Sequence, residues 1–375
     1  DSGRGSGLSF QDDRGVVTDF GLYVTSPLLK AARVDVNSQT VTSAAVDTTG
    51  GYDWMRGGIV PWRERSQSNY LIGLDREQPH AVTDSASSAT SMCSGIKTYN
   101  GSINFAADGS QVVPIARRLQ ADQDFKIGVV TSVPVSHATP AAAYANNVLR
   151  KDYQDIARDM IGLPSSSHRE EPLAGVDVLI GGGWGEGKGK DRSQGDNFRP
   201  GNLYMHQDDI QLADIASGGQ YVVAQRTEHV SGRDVLMAAA REASDSGHRL
   251  LGYFGTKGGH LPVRTADGKY NPTFDIRGAE KYPAADIKEN PDLADMTEAA
   301  LTVLEKSENG FWLMIEAGDV DWANHANNID NSIGAVISGD AAFDVVMDWV
   351  DTNDAWDHTA VIVAADHGHF LVIND

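Results

Sequence analysis

Residues 311–325 read FWLMIEAGDVDWANH, and this stretch decides the fold that the sequence predicts. Its first five residues are apolar and aromatic, as expected of a strand buried inside a sheet. Glu316 stands at the end of that strand, and Asp321 and His325 follow on a segment with helical spacing. A buried strand that is followed by a helix is the repeating unit of an α/β protein.

The same alternation continues along the rest of the chain. Helix-like segments occupy residues 113–121, 152–161, 232–243, 291–306 and 339–350. Strand-like segments occupy residues 126–131, 176–180, 250–254, 311–315 and 359–363. This pattern predicts a three-layer α/β fold with a mostly parallel sheet and helices on both of its faces.

The predicted domain organisation is a single catalytic domain over residues 1–375. Residues 184–202 and 255–290 are rich in glycine and lack periodicity, so we expect loop insertions there. Residues 1–80 show little strand and helix rhythm, apart from residues 15–21.

The composition limits the classes of function. Hydrophobic residues make up 41% of the 375 residues and charged residues 22%, as in a globular protein, and no apolar run is long enough to cross a bilayer. The formal net charge of −21 argues against binding to a nucleic-acid backbone. An anionic substrate would need local positive charge from metal ions or an arginine. One cysteine, Cys93, excludes an internal disulfide, which suits either the cytoplasm or an exported bacterial protein.

Candidate metal ligands follow two of the predicted strands. Asp366 and His367 come just past residues 359–363, after two alanines, and in an open α/β sheet ligands collect past the carboxyl ends of strands. A carboxylate beside an imidazole indicates a divalent metal ion such as zinc. Asp321 and His325 are four residues apart and share one face of a helix, so they can bind one ion. The alternatives are solvated polar residues at a strand end and an ordinary pair on a helix surface.

Candidate residues for substrate chemistry occupy two earlier segments. Ser85 lies at the start of a helix of small residues, where the helix dipole favours an alkoxide or a phosphate. Thr139 offers a hydroxyl to a hard ion such as Mg²⁺, and Arg150 offers a planar fork to two phosphate oxygens. The alternatives are that Asp84 or Ser85 only caps the helix, that Thr139 is a turn hydroxyl, and that Arg150 is solvated.

Together these segments resemble the bacterial alkaline phosphatases, and they occur in the same order. The matching segments are residues 83–86 with 94–101, 137–142 with Arg150, 177–183, 316–325 and 365–369. The resemblance covers roughly residues 81–375. It implies hydrolysis of small phosphate monoesters through a phosphoserine, with release of inorganic phosphate and with two Zn²⁺ and one Mg²⁺ as cofactors.

The resemblance also implies a role for each matching residue. Ser85 would be the nucleophile, and Arg150 would bind the non-bridging phosphate oxygens. The implied metal ligands are Asp321 and His325 for the first zinc, Asp366 and His367 for the second zinc, and Thr139 and Glu316 for magnesium. Residues implied to surround or support these sites are Asp84, His137, Trp322 and His369.

Two ligands of that family have no clear counterpart. The family has an aspartate in a Gly-Asp-Gly turn that bridges the second zinc and the magnesium, and the nearest candidate here is Asp19. The family also places a third histidine well beyond the last metal segment, whereas this sequence ends six residues after His369. Three explanations stay open: a fragment of a longer chain, which we favour, a site completed by other residues, or a weakened enzyme.

Other functions and the cellular location also follow as expectations. The alternatives are a phosphodiesterase or sulfatase of the same superfamily, a phosphate- or metal-binding protein with an incomplete site, and a plain serine esterase. The sequence lacks a Gly-x-Ser-x-Gly elbow around Ser85, which disfavours the esterase. The resemblance implies a periplasmic or secreted protein and a possible homodimer.

Overall fold

The computed structural model describes residues 9, 29–46, 53–57, 67, 70, 83–271, 274–275, 278–279 and 281–369. The strands in these residues are β1 (Leu29–Asp35), β2 (Thr40–Val46), β3 (Lys126–Pro134), β4 (Val178–Gly182), β5 (Gly187–Lys188), β6 (Gly201–Asn202), β7 (Tyr221–Gln225), β8 (Arg249–Tyr253), β9 (Phe274–Asp275), β10 (Gly278–Ala279) and β11 (Phe311–Glu316).

The helices in the same residues are α1 (Trp54–Gly57), α2 (Ser85–Ser94), α3 (Ile115–Gln123), α4 (Ala138–Ala142), α5 (Tyr153–Ile161), α6 (Gln207–Ala213), α7 (Gly232–Ser246), α8 (Ala284–Glu289), α9 (Leu293–Leu304), α10 (Asp319–His325) and α11 (Ile329–Thr352). No helix of the described residues is both long and apolar enough to span a membrane.

The central sheet has the strand order β11-β3-β4-β8-β7, and all of its strand pairs are parallel. Side chains on β3 alternate between its two faces. Val129 packs in one buried cluster with Ala89 of α2 and Ile156 of α5. Val130 packs in the other with Leu236 of α7 and Met296 of α9. The sheet is therefore covered by helices on both faces, which confirms the predicted three-layer α/β fold.

The carboxyl ends of β3 and β11 lie side by side and place the candidate site. Glu316, the last residue of β11, pairs with Thr131 of β3 in the parallel register. Beyond these ends the chain enters α4, which carries Thr139, and α10, which carries Asp321 and His325. The parallel topology therefore brings segments that are far apart in sequence to one edge of the sheet.

The strand predicted at residues 359–363 is wrong. After α11 the chain makes a 3-10 turn at Trp356–His358, and residues 359–365 have no regular secondary structure. Ile362 is 85% exposed and Val363 is 59% exposed. An apolar run becomes a strand only if a neighbouring strand pairs with it, and none of the described strands pairs with this segment.

Several elements were not predicted from the sequence. The strand β7 forms one edge of the central sheet, and β1 and β2 form an antiparallel hairpin. The helix α11 begins at Ile329, ten residues before the predicted start at residue 339. Residues 184–202 contain β5, β6 and a 3-10 turn at Arg192–Asn197, while α8 lies within residues 255–290.

Candidate active site

Ser85 is the first residue of α2, and its position depends on the residue before it. Asp84 caps the helix, since its Oδ1 accepts hydrogen bonds from the backbone N–H of Ser87 at 3.0 Å and from the Ser87 hydroxyl at 2.9 Å. Ser85 is 8% exposed, and its Oγ lies 3.0 Å from Nε2 of His367. The hydroxyl therefore stands at the positive end of the helix dipole, next to an imidazole.

The other carboxylate oxygen of Asp84 holds Arg150. Asp84 Oδ2 accepts a hydrogen bond from the backbone N–H of Gly101 at 3.0 Å and from Nη1 of Arg150 at 3.1 Å. This ion pair keeps the guanidinium beside the start of α2, where Ser85 lies. A planar cation beside a hydroxyl at a helix N-terminus is an arrangement that suits a phosphate group.

Asp321 lies at the centre of three imidazoles. Its Oδ1 is 3.1 Å from Nε2 of His369, 3.4 Å from Nε2 of His325 and 3.6 Å from Nε2 of His367. Burial favours a raised pKa for Asp321, but the contact with His369 and the charges of the neighbouring imidazoles hold that pKa below its usual value. The carboxylate is therefore kept in its charged form, which is the form that binds a metal ion.

The orientation of His367 distinguishes a metal ligand from a member of a serine esterase triad. Its Nδ1 lies 3.0 Å from the carbonyl oxygen of Gly368, so Nδ1 carries the proton and donates it. The other ring nitrogen, Nε2, faces Ser85 Oγ, Asp321 Oδ1 and, at 3.5 Å, Asp366 Oδ2. In a triad the carboxylate binds the nitrogen opposite the serine, whereas here the carboxylates of Asp321 and Asp366 both lie on the serine side.

These side chains fit a zinc ion. One ligand atom each from Asp321, His367 and His369 lies within 4.8 Å of the other two. Asp321 Oδ1 is buried, and none of its contacts with the described residues has the geometry of a hydrogen bond. A metal ion can satisfy a buried carboxylate oxygen that faces several imidazole nitrogens, and imidazole with carboxylate is a ligand set that zinc prefers.

Candidate oxygen ligands for a second kind of ion lie near the ends of β3 and β11. Glu316 Oε2 accepts a hydrogen bond of 2.5 Å from the hydroxyl of Thr131. Burial raises the pKa of Glu316 to about 7, hydrogen bonds from Thr131 and Thr139 oppose the rise, and the nearby carboxylates of Asp366 and Asp321 add to it. A buried carboxylate with two threonine hydroxyls is an all-oxygen set that fits Mg²⁺.

An aromatic cluster borders the site. The ring of His137 stacks on Tyr153 with centroids 6.0 Å apart and meets the edge of Trp322 at 5.6 Å. The ring centroid of His260 lies 5.3 Å from that of Trp322. Burial lowers the pKa of His137 to about 3, and Arg150 adds to the lowering. His137 is therefore neutral at physiological pH.

The structure brings most of the predicted site residues together at one edge of the sheet. His369 was predicted only to support the ligands, yet it lies nearer to Asp321 than His325 does, and the side chain of His325 is 62% exposed. Asp19 lies outside the described residues. Asp366 contacts Ser88, since Ser88 Oγ donates to its Oδ2 at 3.5 Å.

Three residues at the site were missed from the sequence. Thr131 is the last residue of the strand predicted at residues 126–131, and its place at a strand end was the one sequence signal for a role at the site. Ser88 lies in the small-residue run after Ser85. His260 lies in the segment expected to be a loop insertion, and no sequence signal links it to Trp322.

Comparison with known proteins gives the family. Residues 64–375 match the family model for alkaline phosphatase. The chain belongs to the alkaline phosphatase family. The order of the segments that carry Ser85, Arg150, Asp321 and His367 agrees with this membership.

Individual members of the alkaline phosphatase family are distant relatives of this chain. Alkaline phosphatase 3 of Bacillus subtilis is 29% identical over 303 residues, which cover 80% of this chain and 52% of that protein. Alkaline phosphatase of Escherichia coli is 27% identical over 311 residues, which cover 80% of this chain and 61% of that protein. Streptomycin-6-phosphate phosphatase of Streptomyces griseus is 30% identical over 314 residues, or 79% of this chain and 63% of that protein.

Similar solved structures include an alkaline phosphatase. The crystal structure of Thermus thermophilus alkaline phosphatase is 27% identical, with a TM-score of 0.49, over 72% of this chain and 46% of that one. This chain thus spans between about half and two thirds of the length of the relatives that it matches.

Proposed function

We propose that this chain hydrolyses phosphate monoesters through a phosphoserine on Ser85 and releases inorganic phosphate, with two zinc ions and one magnesium ion as cofactors. The carrying observation is that Ser85 Oγ lies 3.0 Å from Nε2 of His367, at a helix start where Asp84 also holds Arg150. A hydroxyl, a metal-ligand imidazole and a guanidinium around one point can act together on a phosphate.

The proposed reaction has two displacements at phosphorus. Ser85 Oγ forms a bond to phosphorus while the bond to the leaving alkoxide breaks, the serine proton leaves to water, and the alkoxide takes a proton from water. A water molecule then attacks the phosphoserine, and Ser85 regains its proton as phosphate departs. Arg150 donates two hydrogen bonds to non-bridging oxygens, where negative charge spreads in the transition state.

Metal ions suit this reaction because the chain itself has few positive charges at the site. We assign zinc to Asp321, His367 and His369, with His325 and Asp366 as further zinc ligands, and magnesium to Thr139 and Glu316. Asp84, His137 and Trp322 surround these ligands. When bound, such ions supply positive charge to the reacting oxygens. The ring of His367 is fixed by its Nδ1 proton on Gly368, which leaves Nε2 free to bind. We also propose a periplasmic or secreted location, as the family resemblance implies.

The experiment is hydrolysis of an aryl phosphate monoester by the zinc- and magnesium-loaded chain and by two variants. Ser85→Ala should lose at least about a thousandfold in kcat, because no oxygen remains to form the covalent intermediate. Ser91→Ala is the matched control, since Ser91 lies on the same helix and its hydroxyl donates back to the Ser87 carbonyl at 2.9 Å.

The outcome that contradicts the proposal is equal turnover by Ser85→Ala and the parent chain. Relative rates on a monoester, a diester and a sulfate ester distinguish a phosphomonoesterase from a phosphodiesterase or sulfatase. Inclusion of a chelator tests metal dependence, because a plain serine esterase keeps its activity when metals are removed.

A further inference from the structure

The hairpin of β1 and β2 places one buried side chain against the catalytic body. Gln39, at the tip of this hairpin, is 8% exposed, whereas its neighbours Ser38 and Thr40 are exposed. The backbone of Gln39 has a φ of 51°, in the left-handed region, and the Asp35 carboxylate accepts the N–H of Asn37 at 2.9 Å. This tight tip turns the Gln39 side chain inward.

Both the oxygen and the nitrogen of the Gln39 side-chain amide make polar contacts. Its Oε1 accepts the backbone N–H of Val148 at 3.0 Å and the hydroxyl of Ser167 at 3.0 Å. Its Nε2 donates to the carbonyl of Val36 at 2.8 Å and faces Oδ2 of Asp152 at 3.4 Å. Asp152 is fully buried, so its carboxylate depends on such donors.

Along the sequence, Arg150 lies midway between Val148 and Asp152, two of the residues that Gln39 contacts. It follows Val148 by two residues and precedes Asp152 by two, and its own backbone N–H donates to the carbonyl of Gly101 at 2.7 Å. Asn147, at the start of the same turn, pairs with Ile103 through two backbone hydrogen bonds of 2.9 Å. The turn is thus bound to the residues after α2 on one side and to Gln39 on the other.

The hairpin tip is itself anchored, so it can act as a support. The side-chain oxygen of Asn37 accepts the backbone N–H of Asp196 at 2.8 Å, and its Nδ2 donates to the Asp196 carboxylate at 3.1 Å. Asp196 belongs to the 3-10 turn at Arg192–Asn197, and Gln194 of that turn accepts the N–H of Gln154 at 2.9 Å. Both ends of the segment around Arg150 are therefore held by glutamine side chains from separate loops.

We propose that Gln39 is a positioning residue for Arg150, which sets the guanidinium at the distance from Ser85 that phosphate binding requires. This inference rests on the proposed function, because Arg150 matters only if a phosphate binds there. Gln39 touches the backbone of the Arg150 turn and not the substrate position. Its loss leaves the Val148 N–H and the Asp152 carboxylate without this partner, and the turn can then relax.

The test uses the full, metal-loaded chain and the variants Gln39→Ala and Gln39→Met, the second of which keeps the volume without the amide. We expect KM for an aryl phosphate and Kd for inorganic phosphate to rise about fivefold, with kcat changed less than twofold. Ser38→Ala is the matched control at the hairpin tip, because its exposed hydroxyl contacts Thr40 at 2.8 Å within the hairpin itself, and it should leave both constants unchanged.

A double-mutant cycle shows whether the effect passes through Arg150. In an Arg150→Ala background, Gln39→Ala should add less than a twofold change in phosphate affinity, because the guanidinium that it positions is gone. The proposal is overturned if the double variant raises Kd by the product of the two single-variant factors. It is also overturned if Gln39→Ala lowers kcat and leaves KM and Kd unchanged.

A readout without turnover separates this inference from the proposed function. Amide hydrogen exchange over residues 146–152 should be faster in Gln39→Ala than in the parent chain, and unchanged exchange would contradict the inference. If the parent chain binds phosphate but hydrolyses no monoester, the proposed function fails, while the exchange rates and the phosphate Kd still decide the role of Gln39.

Discussion

The carboxylate of Asp84 connects two parts of the site at the scale of a single residue. One oxygen caps α2 through Ser87, and the other binds both Gly101 and Arg150. The side chains of Asp84 and Arg150 retain 25% and 20% exposure, so solvent weakens their ion pair, and the geometry that it fixes matters more than its energy.

Asp84→Ala should therefore lower both stability and phosphate affinity. We expect the free energy of unfolding to fall by about 1–3 kcal/mol, because the N–H groups of Ser87 and Gly101 lose the carboxylate that accepts their hydrogen bonds. Asp84→Asn is the matched control, since its amide oxygen can still cap α2. We expect this variant to lose less than half of the unfolding free energy that Asp84→Ala loses. Urea unfolding measures the difference, and equal stability of the two variants would contradict the cap.

Cys93 gives a second test at this scale. It lies on α2 with 8% exposure, and burial raises the pKa of its thiol from 9.0 to about 12. Because only the thiolate is alkylated, the folded chain should react with iodoacetamide at pH 8 about a thousandfold more slowly than the chain in urea. The rate should still rise with pH up to that raised pKa. Fast alkylation of the folded chain would show that α2 is not packed as described.

Residue type and position were enough to select most of the site residues, but not their partners. Ser85 was indicated by a helix start and Asp321 by the segment after the strand at residues 311–315, whereas His367 follows an apolar run that was wrongly predicted as a strand. The direction of the His367 ring depends on the Gly368 carbonyl, which no spacing rule predicts. The same holds for His369, whose approach to Asp321 depends on how residues 366–369 fold back.

At the scale of elements, the glycine-rich end of β4 shows how closely the strand ends pack. A Cβ at Gly182 would collide with the carbonyl oxygen of Gly259 and lie 3.0 Å from the carbonyl group of Val133. Both neighbours are backbone atoms, which cannot move without shifting β3 or the segment after β8. The absence of a side chain at this position is therefore a packing requirement.

Gly182→Ala should destabilise the fold by about 2 kcal/mol or more, because the added methyl group overpacks a rigid strand end. Gly189→Ala is the control, since a Cβ there meets no atom within 4 Å and its backbone does not require glycine. Thermal unfolding of both variants measures the effect. Two equal melting temperatures would contradict the packing at the end of β4.

The strands that the sequence predicted correctly are those that pair with a neighbouring strand of the central sheet. Residues 126–131, 176–180, 250–254 and 311–315 all lie in or overlap strands with parallel neighbours. Residues 359–363 carry the same pattern but remain exposed, because a strand is completed by hydrogen bonds to another strand, and a single segment does not encode its neighbour. Pattern therefore predicts the propensity of a segment and not its pairing.

At the scale of the whole molecule, the site depends on contacts between segments that are far apart in the chain. Residues 366–369 reach α2 through His367 and Ser85, and they reach α10 through His369 and Asp321. Three carboxylates, Glu316, Asp321 and Asp366, lie close enough to influence one another, in a chain of net charge −21. Cations bound at this point, as we propose, would relieve that repulsion and link the segments.

Metal removal should therefore loosen the segment that carries Asp366, His367 and His369. Residues 359–365 are mostly exposed and lack regular secondary structure, so their attachment depends on these side chains. We expect a chelator to lower the melting temperature and to speed proteolysis within residues 359–369, and excess zinc to reverse both effects. Zinc at about a thousand times its Kd stabilises a one-site protein by about 4 kcal/mol.

A variant determines whether that stabilisation comes through this cluster. His369→Ala removes the imidazole nearest to Asp321 Oδ1, so zinc should protect this variant much less than the parent chain. His358→Ala is the matched control, because His358 is an exposed residue of the 3-10 turn at Trp356–His358, outside the described metal cluster. If zinc protects His369→Ala and the parent chain equally, His369 is not a ligand, and the metal is held by the remaining side chains alone.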